Sequence, residues 1–180
     1  MEYLVELVRE ALKTGDCFKV DEYINQFNSQ ENNSRRIIIR MCYDDDIEKG
    51  IYDKPKLVDF FLKSNANPKQ HPIPPDCLWY LGDGKSILYS DLDLCEFNTR
   101  FGFSSMSQLK NWFDDLVAGV YAIREGLYIK SYLDISLALL EVENVDNKSI
   151  KYSESQCIFK ITDAKNISYI NLTKSIEDFC

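Results

Sequence analysis

Three consecutive isoleucines, Ile37 to Ile39, stand inside the apolar segment RRIIIRMCY at residues 35–43. β-branched side chains have restricted χ1 rotation and are enriched in strands. Because the run does not alternate with polar residues, it is typical of a strand that is buried on both faces. The segment therefore predicts a strand inside a packed core.

Two amphipathic patterns precede this strand. Residues 2–13 and 18–27 carry apolar side chains at helical spacing. The polar segment NSQENNS at residues 28–34 has no periodicity and contains several turn-forming residues. The sequence therefore predicts an N-terminal helical hairpin and linker over residues 1–34, followed by a core domain over residues 35–180.

After the isoleucine strand, predicted strands and helices are mixed. The acidic segment DDDIEKG is predicted to break the strand, and a proline-rich segment is predicted to form a loop. Ser105 and Gln108 fit a capping box at the start of a helix that presents Leu109, Trp112 and Phe113 on one face. The remaining predictions are helices at 54–64 and 116–125, the loop at 67–77, and strands at 85–97, 127–135, 149–152, 155–162 and 167–172. The predicted class is α+β, with a mixed, largely antiparallel sheet and packed helices.

The acidic balance of the chain narrows the classes of partner. The chain has 180 residues, 29 acidic and 21 basic side chains, a formal net charge of −8 and 45% hydrophobic residues. This hydrophobic content is sufficient for a packed core. The net charge argues against direct nucleic-acid binding and against an anionic membrane surface, since both require a basic face. The acidity fits either simple solubility or docking on a basic surface of a partner protein.

The cysteines and the one histidine, His71, argue against a metal site. Six cysteines are scattered without any CxxC pair, so the ligands that zinc requires are scarce. The N-terminal segment MEYLVELVRE carries charges among its apolar positions and does not resemble a signal peptide. No apolar run approaches the ~20 residues of a membrane span. The sequence predicts free thiols, a cytoplasmic location, and neither a metal nor a cofactor.

Several separated pieces of the chain form a pattern. They are Arg40 in IIIRMC, GIY at 50–52, HPIP at 71–74, GFSSMSQLKNWF at 102–113, GLYIKSY at 126–132 and QCIF at 156–159. Together they resemble a family of small phage-encoded proteins with no assigned function. The resemblance covers roughly residues 36–162, and the chain departs from it by a longer acidic stretch, LALLEVENVDNK. It implies a phage protein that acts in the cytoplasm of the host cell.

Some of these positions bear a distant resemblance to ADP-ribosyltransferase-like folds. That resemblance implies that Arg40 would hold the phosphates of NAD and that an acid on a late strand would stabilise a ribosyl cation. Glu154 and Gln156 lie in the right order for the second role, and His71 is a further candidate as general base. The alternative interpretation is structural. Arg40 then pairs with an acid of the triplet Asp44–Asp46, Gln156 satisfies backbone groups, and His71 pins its loop by hydrogen bonding.

Two hypotheses of function follow from these residues. The candidate partner-binding residues form two acidic clusters, the first being Asp44, Asp45 and Asp46 and the second Asp91, Asp93 and Glu96. In the first hypothesis these clusters dock on a basic surface of a host protein, such as a defence protein, and inhibit or modulate it. In the second, the chain is an NAD-using enzyme that relies on Arg40, Glu154 and Gln156. Net charge, size and the phage resemblance favour the first hypothesis, and the oligomeric state stays open.

Overall fold

The computed structural model describes residues 1–30, 33–50, 78–80, 86–88, 99–112, 135–145, 149–152 and 156–172. Its first two elements are helices, α1 at Glu2–Thr14 and α2 at Phe18–Asn28, which confirms the predicted helical pair. Gly15 ends α1 in the left-handed conformation, with a φ of 77°. The carboxylate of Asp16 accepts the N–H of Phe18 at 3.0 Å, at the start of α2. Gly15 therefore caps the end of α1, and Asp16, one residue before the N-cap residue Cys17, accepts the first N–H of α2.

The described strands are all paired in antiparallel fashion. They are β1 (Arg35–Tyr43), β2 (Asp46–Gly50), β3 (Leu78–Tyr80), β4 (Ser86–Leu88), β5 (Thr99–Gly102), β6 (Ile135–Glu143), β7 (Ile150–Tyr152), β8 (Cys157–Lys160) and β9 (Ala164–Asn171). They form a four-stranded sheet in the order β2-β1-β6-β9, a three-stranded sheet in the order β5-β8-β7, and the pair β3-β4. A third helix, α3 at Met106–Trp112, lies between β5 and β6 in the chain. The fold is α+β, as predicted.

Strand β1 is buried on both faces, as the isoleucine run predicts. Its odd-numbered residues from Ile37 to Tyr43 join a hydrophobic cluster with the buried side chains of α1 and α2. Ile38 and Cys42 join a second cluster that contains Phe159 of β8. The four-stranded sheet thus packs on the helices with one face and on the three-stranded sheet with the other. We call these the helix face and the small-sheet face.

Groups from three elements complete one edge of β1. Strand β2 pairs with the last two residues of β1. Phe103, directly after β5, exchanges two backbone hydrogen bonds of 2.7 and 2.8 Å with Ile39. The side-chain oxygen of Asn28, the last residue of α2, accepts the N–H of Ile37 at 2.8 Å. The bridge through Phe103 ties the small sheet to the larger one, and the bond from Asn28 ties the hairpin to it.

Gly102, the last residue of β5, marks a close approach of the two sheets. A Cβ atom at this position would lie 2.5 Å from Cγ2 of Ile38, 3.1 Å from the carbonyl oxygen of Ile39 and 3.1 Å from Cε1 of Phe159. Optimal carbon–carbon contacts are about 3.5–4.0 Å, so any side chain here would displace its neighbours. The glycine in the motif FGF therefore has a packing reason.

The predicted capping box at the start of α3 forms, with one difference. Oγ of Ser105 accepts the N–H of Gln108 at 3.0 Å, which confirms the first half of the box. Oε1 of Gln108 reaches back to the N–H of Ser104 at 2.9 Å, one residue earlier than the predicted partner. Both hydrogen bonds fix the point at which α3 begins.

Polar contacts also attach α3 to the helical hairpin. The carboxylate of Asp21 in α2 accepts the N–H of Met106 at 2.6 Å. Nζ of Lys110 donates to the carbonyl of Gly15 at 2.9 Å. Leu109 is buried in the same cluster as the hairpin side chains, as its helical position predicts. The side chain of Trp112 and all of Phe113 lie outside the described residues.

Two segments differ from their predictions. The acidic segment DDDIEKG is predicted to end the strand, but only Asp44 and Asp45 form a turn, and Asp46 already begins β2. A two-residue turn is enough to reverse a β-hairpin. The stretch LALLEVENVDNK has no predicted structure, yet its apolar part belongs to β6, the strand that pairs with both β1 and β9.

The later strands agree with the sequence, and several other predicted elements lie outside the described residues. Strands β7 and β8 are the predicted neighbouring pair, and β9 covers the last predicted strand. The predictions at 54–64, 67–77 and 116–125, and most of those at 85–97 and 127–135, lie outside the described residues. Among the described helices, none is long and apolar enough to cross a membrane.

Candidate functional site

The aspartate triplet is the best described of the predicted partner-binding clusters. Asp44 and Asp45 are exposed, and their φ angles of 57° and 50° place both in the left-handed region. Two such residues between paired antiparallel strands form the hairpin turn in which asparagine and glycine are favoured. Aspartate tolerates this conformation better than most residues because its short side chain can hydrogen-bond locally. The turn places two carboxylates at the tip of the β1–β2 hairpin.

Lys49 in β2 holds two carboxylates of the triplet. Its Nζ lies 3.5 Å from Oδ2 of Asp44 and 3.5 Å from Oδ2 of Asp46. Loss of hydration lowers the pKa of Lys49, but the carboxylates of Asp46 and Asp44 raise it by more, so the pKa lies above its usual value. The ammonium group therefore stays protonated and restrains two acids of the turn.

Asp45 is held from the other side, by the sheet. Oγ of Ser136, near the start of β6, donates a hydrogen bond to Oδ1 of Asp45.

Glu48 is exposed in β2, and its carbonyl oxygen accepts the Nε–H of Arg100 at 3.2 Å. Residues 44–49 contain four acids and one lysine, which gives a formal charge of −3. We call this segment the acidic turn.

Arg40, the first candidate catalytic residue, is buried, with a relative exposure of 6%. Its Nε donates to the carbonyl of Ile47 at 2.8 Å, and its Nη1 donates to the carbonyl of Phe101 at 2.6 Å. These two hydrogen bonds join β1 to β2 and β5. Both of these hydrogen bonds go to backbone carbonyls, so Arg40 has a structural role in the sheet.

The other candidate residues are less fully described. Gln156 is buried directly before β8. Strand β5 lies between β8 and the strand that carries Arg40. His71, Glu154 and the second acidic cluster (Asp91, Asp93 and Glu96) lie outside the described residues. Within the described part of the chain, no group of three or more His, Cys, Asp or Glu side chains is placed to hold a metal ion.

The strand pairing brings four polar residues together on the small-sheet face: Arg40, Cys42, Ser136 and Tyr169. In the strand register, Arg40 stands opposite Ala138, and Ala138 stands opposite Tyr169. The next row pairs Cys42 with Ser136, and Sγ of Cys42 donates to the Ser136 carbonyl at 3.6 Å. In the sequence, only the two-residue spacing of Arg40 and Cys42 indicates that they share a face of β1. Ser136 and Tyr169 become their neighbours through the pairing of distant strands.

The thiol of Cys42 and the phenol of Tyr169 are protonated at neutral pH. Burial raises the pKa of Cys42 to about 11, although the charge of Arg40 lowers it. Burial also raises the pKa of Tyr169, and the neighbouring Cys42 adds to the rise. The thiolate is the reactive form of cysteine, and at pH 7 a thiol with such a pKa has almost none. The group can donate hydrogen bonds, but Cys42 does not serve as an activated nucleophile.

We expect Cys17, Cys42 and Cys157 to resist alkylation in the folded protein. All three are free and buried, and burial raises the pKa of each. For Cys42, the stabilising effect of the neutral thiol is complete below pH 9.0 and is lost as the pH rises through about 11. Labelling with N-ethylmaleimide at pH 7, followed by peptide mass spectrometry, should modify these residues only after denaturant is added. Rapid labelling of Cys42 in the native protein would contradict this expectation.

One family of known proteins matches most of the chain. The family model described as Bacteriophage T4 Y00F protein matches residues 31–173. The matched region contains α3, all the described strands, the acidic turn and Arg40, and it leaves the helical hairpin outside. It confirms that the chain is of a phage protein family, whereas the ADP-ribosyltransferase-like resemblance stays a prediction. No curated protein and no solved structure matches the chain. Because the match covers well over half of its residues, the chain belongs to the Bacteriophage T4 Y00F protein family.

Proposed function

We propose that this protein binds a host protein through its acidic turn and thereby inhibits or modulates that protein in the host cytoplasm. The partner carries a basic surface, and defence proteins are one class that a phage protein would target. The observation that carries the proposal is the pair of exposed aspartates, Asp44 and Asp45, in left-handed conformation at the tip of a hairpin. The second acidic cluster, Asp91, Asp93 and Glu96, extends the same proposal.

The conformation of the tip favours a role for its charge. A left-handed conformation costs an ordinary residue roughly 1–2 kcal/mol, and glycine or asparagine would reduce that cost. The turn instead has aspartate at both positions, which adds repulsion between neighbouring carboxylates. Aspartate tolerates this conformation, as the uncharged asparagine does, so what distinguishes the turn is the charge that it places at the tip.

The neighbours of the turn prepare it for docking. Lys49 restrains Asp44 and Asp46, and Ser136 restrains Asp45, so the carboxylates are ordered before a partner arrives. Preorganised groups lose less entropy on binding. Complementary charge also accelerates association, in a manner that salt screens over about 8 Å at physiological ionic strength. The net charge of −8 acts in the same direction.

Removing charge from the turn should slow association without destabilising the fold. The double variant Asp44→Asn/Glu48→Gln removes two charges, and asparagine is at least as compatible with a positive φ as aspartate. A matched control, Glu10→Gln/Glu143→Gln, removes two charges from exposed positions in α1 and β6. We expect similar melting temperatures, since surface substitutions change stability by about 0.5 kcal/mol or less.

The measurement is capture of host proteins from a bacterial lysate, followed by association kinetics of the captured protein at low and high salt. The turn variant should associate several-fold more slowly than the parent at low salt, and the control should not. Equal rates for the parent and the turn variant at both salt concentrations would show that the acidity serves only solubility.

A further inference from the structure

The outer face of α2 carries a shallow, open groove, and none of the residues that line it is fully buried. The groove has a volume of about 780 Å³, and residues of α2 and Ser29 line it. Val20 and Ile24, on the other face of the helix, are buried against the sheet. Phe18, at the end of the groove, is 70% exposed. A large aromatic side chain at this exposure contributes little to the packing of the hairpin, and its ring is accessible to a partner.

The remaining lining residues are acidic or carry amides. Glu22 is exposed one helical turn after Phe18, and Asn25 follows at the next turn. The carboxylate of Asp21 is held at the groove wall, since it accepts the N–H of Met106 at 2.6 Å. None of the lining residues is a lysine or an arginine. The groove therefore combines an aromatic ring, carboxylates and amide oxygens, with no cation of its own.

This combination fits one side chain best. A guanidinium is planar, stacks on aromatic rings and pairs with carboxylates, and it is more weakly hydrated than an ammonium group. We propose that the groove binds an arginine side chain of a partner protein, stacked on Phe18 and paired with Glu22. The inference rests on the proposed function, because it names the side-chain chemistry of the same basic partner.

The test uses small probes, so it does not depend on the acidic turn or on finding the partner. N-acetyl-arginine amide is titrated into the ¹⁵N-labelled full-length chain, and N-acetyl-citrulline amide serves as its uncharged counterpart. Phe18→Ala and Glu22→Gln remove the two proposed contacts. Tyr3→Ala and Glu10→Gln are the matched controls, since Tyr3 is 62% exposed and Glu10 is an exposed acid of α1.

We expect the amide signals of Phe18, Glu22 and Asn25 to shift with the arginine probe and to shift much less with the citrulline probe. The affinity for the arginine probe should fall about fivefold in each groove variant and should not change in the controls. The proposal is overturned if neither probe shifts these signals, if both shift them equally, or if both groove variants retain the parent affinity. Such a failure would leave the docking role of the acidic turn standing, because the kinetic test of Asp44→Asn/Glu48→Gln measures a different site.

Discussion

Removal of the helical hairpin, so that the chain begins at residue 31, is expected to abolish cooperative folding of the strands. Seven hairpin residues are buried in the cluster on the helix face, and five of them are leucine, isoleucine or valine: Leu4, Val8, Leu12, Val20 and Ile24. Burial of each contributes about 1.5–3 kcal/mol. Together they contribute roughly as much as the ~5–15 kcal/mol by which a whole domain is stable. The truncated chain would also lose the side chain of Asn28, which accepts the N–H of Ile37.

Urea unfolding of the truncated and parent chains, followed by circular dichroism, measures this effect. Two point variants provide the internal comparison. Ile24→Ala should cost about 2–5 kcal/mol, as truncations in cores do. Phe18→Ala should cost about 0.5 kcal/mol or less, because that side chain is 70% exposed. If the truncated chain unfolds as cooperatively as the parent, the proposed division at residue 34 is a true domain boundary and the cluster on the helix face is dispensable.

Replacing Arg40 with alanine is expected to destabilise the protein by about 2–5 kcal/mol. The change leaves the carbonyls of Ile47 and Phe101 without the donors that they have at 2.8 and 2.6 Å. Hydrogen bonds from a charged donor contribute about 1.5–3 kcal/mol each, and both of these are partly buried. Arg40→Lys should recover only part of the loss, since an ammonium group lacks the fork that reaches both carbonyls. The free energy of unfolding in urea is the measurement.

Arg35 offers a matched control on the same strand. Its side chain is 59% exposed and forms an ion pair with Glu141 at 3.0 Å. Exposed pairs contribute about 0–1 kcal/mol, so Arg35→Ala should be nearly neutral. If Arg35→Ala and Arg40→Ala destabilise equally, the role that we assign to the buried guanidinium is incorrect.

Calorimetric titration of the parent chain with NAD separates this structural role from the enzymatic one. Micromolar affinity that is lost in Arg40→Lys, with the fold retained, would favour the ADP-ribosyltransferase-like hypothesis. No measurable heat is the result that the described contacts of Arg40 favour, because two of its donors already serve the backbone.

The elements that the sequence predicted well are those with local signals. The two N-terminal helices follow from apolar spacing, β1 from its isoleucines, and α3 from Ser105 and Gln108. Strand β6 was missed because ISLALLEVE is rich in leucine and alanine, which favour helices, and lacks alternation. Both of its faces are buried, since Ile135 to Leu140 are all covered. Its strand conformation is decided by pairing with β1, which lies about a hundred residues earlier in the chain.

The candidate site was predictable in charge but not in geometry. The sequence shows three successive aspartates, but not that Asp44 and Asp45 would occupy left-handed positions. The restraint on Asp45 comes from Ser136, 91 residues away in the chain. Likewise, the carbonyl of Phe101 reaches Arg40 only because β5 is bridged to β1. Contacts between distant segments have no local signature, so sequence patterns cannot reveal them.

The distance along the chain between β1 and β6 has a consequence for synthesis on the ribosome. About 90 residues separate Tyr43 from Ile135, so β1 emerges well before its principal partner exists. At ~5–20 residues per second, the delay is roughly 5–20 seconds. During that interval the isoleucine strand has an unpaired edge, which is an aggregation hazard. The hairpin emerges first, so it is in place to cover one face of the nascent strand until β6 arrives.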